Sequence, residues 1–386
     1  MEEKPLFYKE IDHKRVHQAY ALLSVHIVQP LTIHIVGTNG KGSTGRIMAS
    51  LLHASGTKVG HFSSPHILKF NERIWIEGQD ISDATLDIVH QKLYSILGKE
   101  MSNALSYFEY TTLLAFVAME NLEVIILEAG LGGEFDATNV CPKALSLITP
   151  IGLDHQDFLG ETLNEIATTK MNSINNDFVL AVQESAEVYE IAKSIVSEKK
   201  VECYNVLAFE KYFQSEYVQV KKILNELSWA DYLFENTLMA LYGLKVLNLF
   251  YGIEALKSVK LFGRFYKLLP NVTIDVGHNL LATKAIVKVL KKREKKELVL
   301  VYNALTDKDY ASILKMFKPY ITRVEIISIE TVRAVEVKLL EDILDNLNMP
   351  HKKFEKIDKK EEYLVFGSFY VIESFLNKNE QNIKLL

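Results

Sequence analysis

Apolar runs of four to six residues alternate with longer amphipathic segments along most of the chain. LTIHIV (31–36), KVGHFSS (58–64), EVIILEAG (123–130), ALSLITP (144–150) and FVLAV (178–182) have the β-branched, unalternating character of strands buried on both faces. RIWIEG (73–78) predicts a further extended piece. Between these runs the 3.6-residue pattern predicts helices at 8–28, at 83–98 behind a Ser82 cap, at 108–120, from Thr162 through Lys170, and at 184–198. Strands alternating with helices imply a mostly parallel sheet covered on both faces.

Residues 201–231 read as short strands and turns, and 232–250 and 253–258 as helices. LFGRF (261–265) has the look of a hinge. Beyond it VTIDVG (272–277), ELVLVYN (297–303), VEIISI (324–329) and EYLVFGSFYV (362–371) predict strands of a second α/β unit. The expected organisation is a first domain over 1–260 and a smaller one over 261–386.

The first strand leads directly into GTNGKGST (37–44) and then an apolar helical pattern. A strand, a glycine-rich turn and a helix in that order make an anion cradle. Glycines let backbone N–H groups close around a phosphate, and the helix N-terminus adds partial positive charge. Thr38, Asn39, Gly40, Lys41, Gly42, Ser43 and Thr44 are the candidate phosphate contacts, with Lys41 on the β- and γ-phosphates and the Ser43 hydroxyl on Mg²⁺. The strict G-x-x-x-x-G-K-[ST] spacing is not met. Ile35 stands where the first glycine falls, and Gly42 separates Lys41 from Ser43. The bland alternative is a glycine-rich turn that binds nothing.

Net charge of -5 argues against a nucleic-acid or membrane-surface role. Two cysteines, Cys141 and Cys203, give neither a disulfide framework nor a metal spacing, which fits a reducing cytoplasm. The first residues are too charged for a signal peptide, and no run approaches ~18 apolar residues. KKREKK (291–296) and HKKFEKIDKKEE (351–362) read as solvated helix and loop surface.

Other candidates lie at strand ends, where parallel sheets bind ligands. Glu128 ends one strand and can bind Mg²⁺ through oxygen; alternatively it caps a neighbouring helix. Asp154, His155 and Asp157 follow the next strand, although His155 is an unusual ligand for so hard a cation. Lys170, taken alone, reads as a surface lysine. In the second unit Asp275 suits a ribose hydroxyl, and Arg264 and His278 suit phosphate.

Together these pieces resemble the Mur ligase superfamily and, within it, folylpolyglutamate synthase/dihydrofolate synthase. The ordered motifs are GTNGKGS (37–43), SSPHILKFNERI (63–74), SYFEYTTLLAF (106–116), LEAGLGGEFDATN (127–139), IGLDHQDFLG (151–160), IATTK (166–170), FGR (262–264), DVGHN (275–279), LTDKD (305–309) and VFGSFY (365–370). The resemblance implies a P-loop-type, mostly parallel ATPase domain plus a smaller Rossmann-like α/β domain. It implies ATP and Mg²⁺ as cofactors, with Ser43, Glu128 and His155 as metal ligands. Lys41, Glu128, His155 and Lys170 would be catalytic, Lys170 as N6-carboxylysine. It places Asn236 near the adenine and Arg264, Asp275 and His278 on the nucleotide. Ser106, Tyr107, Phe108, Glu109, Phe135, Asp136 and Ala137 would hold the pterin-bearing substrate.

The implied reaction is ATP-dependent addition of L-glutamate to dihydropteroate, to reduced folate, or to both, by a cytoplasmic monomer with no nucleic-acid or membrane partner. Closure about 259–264 would exclude water. The rivals are another ligase of the superfamily, acting on a cell-wall or peptide acceptor, and a non-catalytic nucleotide-binding homologue. Departures from the family pattern fall at Glu134, where an arginine is usual, and at Leu233-Phe234-Glu235, where a His-Gln pair is usual. DVGHN replaces DGAHN, Leu261 replaces a tryptophan, and IDHKRV (11–16) matches its segment only loosely.

Overall fold

The computed structural model describes residues 12–292 and 297–380. The start of the 8–28 helix, Ile11 of IDHKRV and residues 293–296 of the basic run lie outside the described residues. The chain forms two compact units. The first comprises the residues up to Gly152, Gln156–Leu227 and Phe234–Val259; the second comprises Leu153–His155, Ser228–Leu233 and the chain from Lys260 onward.

Among the described residues the first unit holds an eight-stranded sheet. Its strands are β1 (Leu31–Val36), β2 (Val59–Phe62), β3 (Ile74–Ile76), β4 (Gln79–Asp80), β5 (Val124–Glu128), β6 (Leu145–Ile148), β7 (Phe178–Leu180) and β8 (Cys203–Asn205), in the order β4-β3-β2-β5-β1-β6-β7-β8. All pairings are parallel except those of β3. Helices cover both faces, as the apolar runs predict: on β2, His61 packs under the helix Lys41–Ala54, whereas Gly60 faces Met119 and Leu122. Ile33, Ile35 and Val36 of β1 are fully buried, each contributing about 1.5–3 kcal/mol.

The second unit holds β9 (Tyr266–Leu269), β10 (Val272–Asp275), β11 (Leu298–Tyr302), β12 (Ile321–Ile326), β13 (His351–Lys353) and β14 (Glu362–Phe366), in the order β13-β12-β11-β14-β10-β9. All are parallel except β9. Leu300, Tyr302, Phe317, Leu364 and Phe366 centre its core.

Beyond shifted ends, such as the first helix stopping at Ser24 and the 232–250 helix at Val246, the structure departs from the sequence pattern mainly as follows. Residues 214–226 form a helix, not strands and turns; its valines obscure an apolar stripe through Val220, Ile223 and Leu224. The 362–371 strand stops at Phe366, because Gly367 takes φ 137° and Ser368 caps a helix over Phe369–Lys378. The 83–98 helix continues to Ala104 beyond a break at Gly98. His351–Lys353, inside a run read as solvated helix and loop, is an edge strand paired to β12. Strand β9, Tyr-Lys-Leu-Leu, was hidden because it is short, only half-buried and without β-branched residues.

Candidate active site

β1 is flanked by β5 and β6, so its carboxyl end opens beside Glu128 and Thr149. The turn 37–40 leaves at that end. Gly37 has φ 151°, and a Cβ there would stand 1.9 Å from Thr149 Oγ1. Gly40 has φ 91°, and a Cβ there would stand 2.7 Å from Asn236 Oδ1. Two glycines are therefore obligatory, one for close approach and one for backbone conformation. The Thr38 and Asn39 N–H groups donate to the Pro150 carbonyl at 3.0 and 3.2 Å, which ties the turn to the end of β6. The helix Lys41–Ala54 starts at once, leaving its first N–H groups directed out of the helix end. The hydroxyls of Ser43 and Thr44, both buried, have no hydrogen-bond partner. Asn236 is 4% exposed, and its Nδ2 also has none. This collects unmet donors and a helix dipole where an anion would sit.

Lys41 Nζ donates to the carbonyls of Gly37 and Thr38, each at 3.2 Å. Lys170 is no surface lysine. It is 4% exposed, on the helix Leu163–Met171, and its Nζ also donates to the Gly37 carbonyl, at 3.0 Å. Two amines on one carbonyl lie within about 6 Å of each other, a distance at which two positive charges disfavour one another. Glu128 is 5% exposed, and its Oε2 accepts from the Ser64 N–H at 3.3 Å.

Among the described residues no group of three or more His, Cys, Asp or Glu is arranged to hold a metal. A Mg²⁺ that takes most of its oxygens from phosphate and water needs no such cage. The unpartnered Ser43 hydroxyl and the buried Glu128 carboxylate fit it as donors.

The sequence-predicted acceptor contacts divide into engaged and open groups. Ser106 Oγ accepts from the Glu109 N–H, and Glu109 Oε2 accepts from the Ser106 N–H at 2.7 Å and from Arg15 at 2.8 Å. Asp136, 6% exposed, accepts from the Leu131 N–H at 2.8 Å, the Thr138 N–H at 3.0 Å and the Thr138 hydroxyl at 2.6 Å. Ala137 is buried. Phe108 packs 6.0 Å from Phe62, and Tyr107 lies 6.2 Å from Phe70 with the Arg73 guanidinium 5.4 Å from its ring. Phe135 is 53% exposed. Glu134, the reversed charge, accepts from Asn172 Nδ2 at 2.8 Å at the end of the Lys170 helix.

In the second unit Asp154 is the centre of a buried cluster. It accepts from Lys308 Nζ at 2.5 Å, Asn279 Nδ2 at 2.8 Å and the His155 N–H at 3.0 Å, with His278 Nε2 at 3.8 Å. Burial alone would raise its pKa, but His278, His155 and Lys308 outweigh burial and hold it well below the usual carboxylate range. His155 takes φ 54°, a left-handed conformation, just before the helix Gln156–Leu159. Asp275, read as a ribose contact, has both oxygens engaged: Tyr232 O–H and the Phe265 N–H on one, at 2.8 Å each, and the Gly277 N–H on the other, at 2.7 Å. Burial pushes its pKa up against the pull of Arg264. Arg264 lies 5.3 Å over the Phe369 ring, and burial lowers the pKa of His278. Sequence reading missed Arg15, Lys308 as the Asp154 partner, and the buried His34 on β1. Only His34 left a signal, as a polar residue inside an apolar strand.

No family model matches the chain. It is 30% identical over 372 residues to the dihydrofolate synthase/folylpolyglutamate synthase of Buchnera aphidicola (subsp. Schizaphis graminum), covering 90% of this chain and 88% of that one. The crystal structure of Helicobacter pylori folylpolyglutamate synthetase aligns with a TM-score of 0.73 at 34% identity, covering 98% of this chain and 97% of that one. Escherichia coli FolC in complex with DHPP and ADP aligns with a TM-score of 0.81 at 25% identity, covering 98% and 95%. The two-sheet α/β fold and these relatives agree: the chain belongs to the dihydrofolate synthase/folylpolyglutamate synthase family.

Proposed function

We propose that this protein is an ATP-dependent amide ligase that adds L-glutamate to dihydropteroate, to reduced folate (poly)glutamates, or to both. A carboxylate of the acceptor attacks the γ-phosphate of ATP, giving an acyl phosphate and ADP. The amine of L-glutamate then attacks the acyl carbon, and inorganic phosphate leaves. The protein's task is positioning and charge neutralisation, with no protein nucleophile. Lys41 swings from the Gly37 and Thr38 carbonyls onto phosphate, and the helix N-terminus holds the same group. Ser43 and Glu128 would hold Mg²⁺, which when bound supplies charge neutralisation on the phosphates.

The observation that carries the reading is Lys170, buried against the Gly37 carbonyl at the base of the phosphate loop. A buried amine on that carbonyl is well placed to serve as a carbamate, formed from the neutral amine and CO₂. Asn236 supports an adenine-side contact by its unpartnered amide at Gly40. We place the enzyme in the cytoplasm as a monomer acting on small molecules without a nucleic-acid partner. Its net charge of -5 supports the absence of a nucleic-acid partner, and no described helix is long and apolar enough to cross a membrane.

Lys41→Ala tests the phosphate-loop reading. Its two 3.2 Å contacts are to loop carbonyls, so the fold should survive while ADP formation falls to background. Retained turnover in the variant would remove Lys41 from the reaction.

A further inference from the structure

A buried chain of polar groups runs from the central strand to the acceptor loop and has no part in the chemistry above. His34, in the middle of β1, is fully buried, and its Nε2 lies 2.8 Å from Thr138 Oγ1. Thr138, also fully buried, gives its hydroxyl proton to Asp136 Oδ1 at 2.6 Å and its N–H to the same oxygen at 3.0 Å. The other Asp136 oxygen accepts the Leu131 N–H at 2.8 Å. Asp136 thus joins the two ends of the 131–138 turn, on which Phe135 stands exposed.

Burial pushes the Asp136 pKa up against the donors of Leu131 and Thr138; with its carboxyl ionised, the protons have one consistent arrangement. Thr138 has a single hydroxyl proton and spends it on Asp136, so its oxygen must accept from His34. His34 is therefore the Nε2–H tautomer. Burial, and secondarily Lys143, holds its pKa well below 6.5, so the ring is neutral and has only that one N–H. Nδ1 is left buried without a hydrogen-bond partner. An apolar side chain on this strand would avoid that penalty. A polar one retained in such a place points to what its other nitrogen does.

We propose that His34 is a positioning residue for the acceptor substrate: through Thr138 it fixes the Asp136 carboxylate, and with it the turn that presents Phe135. The proposal rests on the reading of residues 135–137 as an acceptor-holding segment. Lys143 braces the same turn from its far end, donating to Asn139 Oδ1 and, at 2.6 Å, to the Ser173 carbonyl.

The test compares His34→Leu, which removes both nitrogens, with His34→Gln, whose amide N–H can stand where Nε2–H does. Initial rates with ATP, L-glutamate and dihydropteroate are measured beside hydrogen–deuterium exchange of peptides covering 129–141. In His34→Leu the KM for dihydropteroate should rise about tenfold while kcat and the KM values for ATP and glutamate stay within about twofold. Exchange in 129–141 should quicken. His34→Gln should restore both readouts towards wild type. A folded His34→Leu with unchanged exchange and unchanged acceptor KM would overturn the proposal. So would equal losses for all three substrates in both variants, the mark of a general packing defect. If wild-type protein shows no turnover with any pterin acceptor, the functional reading fails. The exchange comparison still decides the role of His34 in that case.

Discussion

Replacing Lys308 by Met should expose how much the second unit depends on one ion pair. Lys308 and Asp154 have side chains only 4% and 7% exposed, and 2.5 Å separates Nζ from Oδ1. Removing one partner of a buried pair costs about 3–5 kcal/mol, because the other charge is left without compensation. Two features hold Lys308→Met to the lower part of that range. Asp154 keeps the Asn279 amide and the His155 N–H, and Asp307, the other partner of Lys308, keeps Arg333 at 2.7 Å. The orphaned carboxyl can also escape by binding a proton, at a cost of about 4 kcal/mol at pH 7 and about 1.5 kcal/mol at pH 5. The expected deficit is therefore about 3–4 kcal/mol at pH 7, on the order of 10 °C in the melting of this unit, shrinking to about 1.5 kcal/mol at pH 5.

In the wild type the folded pKa of Asp154 is depressed, so its contribution is fully present above the unfolded carboxylate pKa. It is lost only as pH falls from there towards the folded value, so Asp154 itself adds no pH dependence to the wild-type reference between pH 5 and 7. Calorimetric melting of wild type, Lys308→Met and the Asp154→Asn/Lys308→Met double variant at both pH values checks this. The double variant should recover most of the loss. A single variant within about 0.5 kcal/mol of wild type at pH 7, or a deficit that grows on acidification, would refute the reasoning.

Other outcomes follow from the first unit. His61 is 1% exposed, neither ring nitrogen has a hydrogen-bond partner, and burial followed by Arg46 holds its pKa well below the usual value. The unfolded state binds the proton more readily, so stability falls as pH drops below about 6.5. His61→Leu should stabilise the protein by about 1–2 kcal/mol at pH 7 and by more at pH 5; urea midpoints showing a loss at both pH values would contradict this. Lys170→Ala should abolish glutamate-dependent ADP release and regain part of it with added short carboxylic acids. Intact wild-type protein should carry the mass of one carboxyl group on Lys170 under CO₂. Activity in Lys170→Ala without any acid would make the buried lysine purely structural.

Much of the scaffold was legible because buried parallel strands and glycine turns leave local marks. LTIHIV followed by GTNGKGST gives β1, the glycine-rich turn and the helix in one stretch, and the position of Glu128 follows from its strand end. Lys170 was illegible from the residues alone. Its burial depends on the helix Leu163–Met171 packing beneath a loop 133 residues earlier, which no local pattern records. The Lys308–Asp154 pair, separated by 154 positions, was hidden for the same reason. Polar residues of the motifs expected to hold the acceptor also carried more than one meaning. Ser106 and Glu109 read as substrate contacts, yet the same S-x-x-E spacing is a capping box, and the structure uses it as one. Local misreadings arose where β-branched residues sit in helices, as in 214–226, or where Gly-Ser turns an apolar run from strand to helix, as at 367–368.

The most direct test of the enzyme assignment is ADP release by the wild-type chain with Mg²⁺-ATP and L-glutamate, in parallel reactions with dihydropteroate and with a reduced monoglutamyl folate. The expected result is ADP formation that requires glutamate and at least one of the two acceptors, with a mass gain of one glutamyl residue in that acceptor. Protein that binds ATP but forms no ADP with either acceptor would contradict the assignment.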